Sequence, residues 1–229
     1  SSKTEKRTFV KMKTFCKIIS FVFHPVFTVM YSYFIYFYMN SIYNQMLFLA
    51  APKIYFPLFS FLFLMAVFFP LLTVYIMYKN KLISSISIPK RKERIPILVL
   101  VIIYYSMTYY IFRYWNTTLL NLLHPYLSFL FAGLMLLLLL TIITLKWKIS
   151  IHAASISGLC GGMTAITLIA QPIINLQQIF LVNAVLLTFI GIVSFSRMYL
   201  KVHSMIQILV GIAIGFSLVF GLVFNQFYI

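Results

Sequence analysis

Two of the four histidines, His152 and His203, stand at the edge of long apolar runs with polar and cationic residues beside them. His152 follows Lys146, Lys148 and Ser150 in KWKISIHAASISG, and His203 follows Ser196 and Arg197 in SRMYLKVHSMIQ. Gln207 lies one helical turn beyond His203, on the same face. Imidazole is the side chain best suited to proton exchange or nucleophilic attack near neutral pH. An ionisable group set against a membrane-depth run is costly, which makes function the default reading. Imidazoles gathered with cations suit an anion, and a phosphate most naturally. Guanidinium groups grip its oxygens in pairs, and helix N-termini offer backbone N–H groups. His24 and His124 each precede a proline near the start of a run and read as structural or interfacial, His24 about two turns inside the first helix.

The elements that must position these groups are membrane spans. The chain has 229 residues, 63% hydrophobic, 18% aromatic and 9% charged, a composition suited to lipid rather than to water as solvent. Runs long enough to cross a bilayer, about 20 apolar residues each, fall at 15–39, 54–78, 95–112, 122–145, 150–170, 178–195 and 204–226. They are too long for barrel strands, which alternate in segments of about 10 residues. The first has no small-residue cleavage site and reads as a retained span. The expected fold is all-α: one polytopic bundle of about seven spans over 15–229, behind a basic arm at 1–14. Ala154, Gly158 and Gly162, with Gly211 and Gly215, form small-residue ridges along which helices can approach closely.

Helix alternation puts the arm and the connections near 79–94, 146–149 and 196–203 on one side of the membrane. That side holds all the cations except Lys53 and Arg113, which places it in the cytoplasm by charge bias. The formal net charge of +16 predicts attraction to anionic lipid headgroups. With no soluble basic fold to display that charge, nucleic acid is not an expected partner. Glu5 and Glu93 are the only carboxylates, too few for an oxygen-ligand set for Mg²⁺ or for an acid pair. Cys16 and Cys160 form neither a disulfide framework nor a metal-ligand spacing. The chemistry is therefore expected to need no metal and no cofactor. A transporter would be expected to show paired inverted halves and Gly/Pro-broken spans, which are not legible here.

SRMYLKVHSMIQ resembles the third motif of the type 2 phosphatidic acid phosphatase superfamily, SRxxxxxHxxxD. Ser196, Arg197 and His203 match, and Gln207 stands where that family has Asp. ISIHAA resembles the second motif, PSGH, through Ser150 and His152, with Ile149 and Ile151 in place of Pro and Gly. RKERIP resembles the end of the first motif, KxxxxxxRP, through Arg94. Ser87 stands at the Lys position, and Ile95 separates Arg94 from Pro96.

The resemblance implies a bacterial inner-membrane lipid phosphatase. His203 would be the nucleophile, His152 the acid that protonates the leaving alkoxide, and Gln207 the partner of His203. Arg197, Arg94, Ser150 and Ser196 would hold phosphate. Lys90, four residues before Arg94, would share its face on a helix. The substrate would be a lipid phosphate monoester or diphosphate. Because Gln207 keeps a hydrogen-bond acceptor but loses the charge, the alternative is a weakened or inactive relative that binds lipid phosphate or a membrane partner.

Overall fold

A computed structural model describes residues 3–85, 91–114, 117–169 and 176–227. Among them are nine helices and no strand: α1 Lys3–Val22, α2 Thr28–Tyr38, α3 Ile42–Ala50, α4 Pro52–Lys79, α5 Arg91–Tyr114, α6 Thr117–Lys146, α7 Ile151–Ile169, α8 Leu176–Tyr199 and α9 Met205–Phe224. Six of these, α4 to α9, are long and apolar enough to cross a bilayer. The chain is an integral membrane protein with an all-α polytopic bundle.

The first run does not form one straight span. The helix begins at Lys3, so the basic arm and the first apolar residues make one element, and it stops at Val22. The cause is Pro25, which has no N–H to donate and disfavours helical backbone at the residue before it. His24 accordingly takes an extended conformation, φ −67° and ψ 138°. A 3₁₀ turn over Pro25–Phe27 follows, and α2 continues at 40° to α1. A second proline, Pro70, follows a π-helical turn at Leu64–Phe68 inside α4. There the wider turn accommodates the missing donor. The short helix α3 was not expected from hydropathy; Ser41 caps it by accepting the Asn44 N–H at 3.2 Å.

The centre of the bundle is α7. Of its apolar window 72% is buried, against 17% for α8 and 28% for α9, so those two leave most of their surface outside the bundle core. Small residues permit this centrality. The most extensive packing in the molecule is α7 against α9, which run parallel with Ser150 beside Gly211 and Ala154 beside Gly215. A Cβ at Gly211 would meet the Ser150 carbonyl oxygen at 2.9 Å, and one at Gly215 would collide with the Ala154 carbonyl oxygen and Ser157 Oγ. The backbones therefore touch along this seam, as the ridge of small residues anticipates. A backbone bond, Ser150 N–H to the Gln207 carbonyl at 3.3 Å, ties the start of α7 to the first turn of α9. Running the opposite way, α8 is joined to α7 by Thr164 Oγ1–H to Asn183 Oδ1 at 2.6 Å.

Candidate functional site at one end of the bundle

His203 lies in the turn between α8 and α9, and that turn is fixed at both ends. At the end of α8, Lys201 adopts the left-handed conformation, φ 54°. Its N–H reaches the Met198 carbonyl at 2.8 Å, and the Val202 N–H reaches that of Arg197 at 3.3 Å. Helices often end with this reversal, usually on glycine, because a Cβ there costs about 1–2 kcal/mol. Ser204 then caps α9 reciprocally with Gln207. Gln207 N–H donates to Ser204 Oγ at 3.4 Å, and Ser204 N–H donates to Gln207 Oε1 at 3.2 Å.

The capping box selects a tautomer. Gln207 Oε1 lies 3.2 Å from His203 Nδ1, and an amide oxygen only accepts. Nδ1 therefore carries the proton of neutral His203, which leaves the lone pair on Nε2. His203 lines an open cleft of about 460 Å³ together with Lys148, Lys201, Ser204, Gln207 and the apolar Met198, Val202 and Met205.

Burial, then the charges of Arg197, Lys148 and Arg94, hold the His203 imidazole down at about 4, although its hydrogen bond to Gln207 works in the opposite direction. His203 is thus neutral at pH 7. Between pH about 6.5 and about 4 the unfolded chain takes up a proton here that the folded chain refuses. Folding stability from this group is therefore flat above 6.5 and falls as pH drops through that window. The expected result is a His203 titration midpoint near 4 in ¹⁵N-histidine NMR; a midpoint at or above 6.5 would contradict this electrostatic account.

His152 occupies the second position of α7, behind Ser150 at the N-cap. Ser150 is fully buried, and its hydroxyl accepts the Ala153 N–H at 3.4 Å, so its local work is to start the helix that carries His152. The Nε2 edge of the His152 ring faces α1, and His152 does not line the cleft. Its Nε2 lies 3.2 Å from the Ser20 carbonyl oxygen, and its ring stands edge-on to His24 with centroids 5.2 Å apart.

Arg197 links the parts, since its charge reaches His24, His152 and His203. Its Nε is buried and has no hydrogen-bond partner among the described residues. Arg94, in the first turns of α5, lies within electrostatic reach of both Arg197 and His203. Ser196 is buried, and its hydroxyl donates to the Ile192 carbonyl at 2.8 Å. Lys90 lies outside the described residues. Glu93 is engaged locally, accepting from the N–H and hydroxyl of Ser84 at 3.0 and 2.9 Å.

The fold thus gathers His152, His203, Gln207, Arg197 and Arg94 at one end of the bundle and adds Lys148 and Lys201 at the cleft. It also brings in His24, whose place in the sequence predicts a structural or interfacial role. The signal was the His-Pro pair itself: a proline that breaks the span places the preceding ring at a helix junction, where it can meet another element. Comparison of the chain with family models, with curated proteins and with solved structures finds no match.

Proposed function

We propose that this protein is a membrane lipid phosphatase working through a phosphohistidine, without a metal, at the cytoplasmic face of a bacterial inner membrane. The observation that carries the reading is the His203–Gln207 pair. It leaves an unprotonated Nε2 on a neutral imidazole that borders a cleft with Lys148 and Lys201, within electrostatic reach of Arg197 and Arg94. Phosphoryl transfer asks chiefly for alignment and for positive charge around the equatorial oxygens, and these groups supply both. The apolar Met198 and Met205 on the cleft wall suit a substrate whose chains stay in the bilayer while its headgroup enters among the helix ends.

In the first step the His203 Nε2 lone pair forms an N–P bond as the P–O bond to the lipid breaks, and the departing oxygen takes from His152 Nδ1 the proton that the phosphate monoanion delivers to this otherwise neutral ring on binding. In the second, His152 removes a proton from water, the water oxygen bonds to phosphorus, and the N–P bond breaks. Inorganic phosphate leaves as the monoanion, carrying the proton that His152 took from water, and both imidazoles return to their neutral starting forms.

Purified protein in EDTA is expected to release phosphate from at least one of phosphatidate, phosphatidylglycerol phosphate and polyprenyl diphosphate. Binding of these lipids without release would support a second reading, a lipid-phosphate binder, which the engagement of His152 Nε2 by Ser20 and its absence from the cleft lining favour. The charge bias supports the inward orientation. Reporter fusions in the 79–94 connection should therefore be read from the cytoplasm; an external signal would reverse the orientation.

A further inference from the structure

The segment from Ser20 to His24 grips His152 twice. Ser20 supplies its carbonyl oxygen to His152 Nε2 at 3.2 Å. A carbonyl only accepts, so the proton of neutral His152 resides on Nε2 and Nδ1 holds the lone pair. His24 supplies the second contact, an edge-to-face meeting of rings at 5.2 Å and 86°. The His24 ring is itself anchored, because its Nδ1 accepts the Val26 N–H at 3.4 Å in the turn forced by Pro25. Its own proton is then on Nε2. A polar ring in an enclosed setting is costly unless its polar atoms are employed, and packing alone would be served as well by an apolar side chain. The groups facing His152 are His24 from the α1–α2 junction, Arg197 from α8 and His203 from the α8–α9 turn.

We infer that the α1–α2 junction is a working part of the site, with His24 a positioning residue that holds the His152 ring so that Nδ1 exchanges the proton with the leaving oxygen and with water. This inference rests on the phosphohistidine reading. A chain segment more than a hundred residues from His152 then completes the acid, and the Ser20 carbonyl stabilises the imidazolium that forms, as an acceptor on the far nitrogen does in other imidazole acids.

The test exploits leaving-group chemistry. An alkyl lipid phosphate needs its departing oxygen protonated, whereas 4-nitrophenyl phosphate leaves as a stable phenolate and needs little help. His24→Ala is expected to lower kcat at least about tenfold on the lipid phosphate and less than about threefold on the aryl phosphate, a part of the roughly 10²–10⁴-fold that a general acid contributes. His24→Asn, whose side-chain oxygen can still accept the Val26 N–H, keeps the turn but not the ring. His24→Phe keeps a ring but not the anchor. The two guard against a variant that fails to fold, and both should show the same split. Equal losses on the two substrates, or no loss, would overturn the assignment. Should the wild-type protein hydrolyse neither substrate, the phosphatase reading fails, and ring ¹⁵N shifts then decide the positioning role. His152 should be the Nε2–H tautomer in the wild type and a mixture in His24→Ala, while an unchanged tautomer would refute it.

Discussion

Replacing His203 by alanine is expected to lower phosphate release from a lipid phosphate by about 10⁴-fold or more, the scale of loss when a covalent nucleophile is removed from a hydrolase. The expectation follows from geometry as well as residue type. Gln207 Oε1 is already committed by the Ser204 N–H and takes the His203 Nδ1 proton as well, so the lone pair is left on Nε2. No other described histidine shares this arrangement at the cleft. The measurement is single-turnover phosphate release in detergent or vesicles with EDTA present. Retention of more than about a tenth of wild-type activity would exclude His203 as the atom that takes the phosphoryl group, since nucleophile losses are far larger than that. Trapping ³²P on the protein after an acid-free quench gives a separate readout, and labelling should vanish in His203→Ala.

The second large effect is structural. Gly215→Val would drive a side chain into the Ala154 carbonyl oxygen and Ser157 Oγ, and neither helix can yield without opening the α7–α9 seam. Overpacking costs about 1–3 kcal/mol where side chains can shift. Here backbone must move, so the upper end of that range, or failure to accumulate in the membrane, is expected. Gly221→Val on the same helix is the control, because a Cβ at Gly221 meets nothing within 4 Å. Thermal unfolding followed by monodispersity in detergent would separate the two. Equal midpoints would show that the seam tolerates separation and that the site does not depend on it.

Much of this was legible from residues alone. The six long spans lie within a few residues of the apolar runs, because in lipid every backbone group must be satisfied within its own helix, so length and hydropathy nearly determine the element. The ridges of Ala154 and Gly158 and of Gly211 and Gly215 likewise meet where small residues permit contact. Other features were not legible. Hydropathy averages over a window and passed across Pro25, so the first span read as straight although one residue bends it. The orientation of the His152 ring depends on which element arrives beside α7. That is a tertiary fact without a local signal, and it ties His152 Nε2 to α1 while the ring stays within electrostatic reach of Arg197 and His203. Ser150 and Ser196 match a phosphate-binding pattern by type, yet their hydroxyls engage the backbone of their own helices. Lys201 stands in a left-handed position at the cleft rim, a conformation that single-residue propensity argues against.

The main-chain bond from Ser150 N–H to the Gln207 carbonyl makes the spacing of the two histidine-bearing segments largely indifferent to which side chains surround them. Substitution cannot delete a peptide group, short of introducing proline at Ser150. Evolutionary drift at flanking positions, such as the isoleucines on either side of Ser150, can thus proceed while the two segments stay in register, provided the close-approach positions at Gly211 and Gly215 remain glycine. A divergent sequence in this part of the chain is on that account a poor guide to whether the architecture behind it has changed.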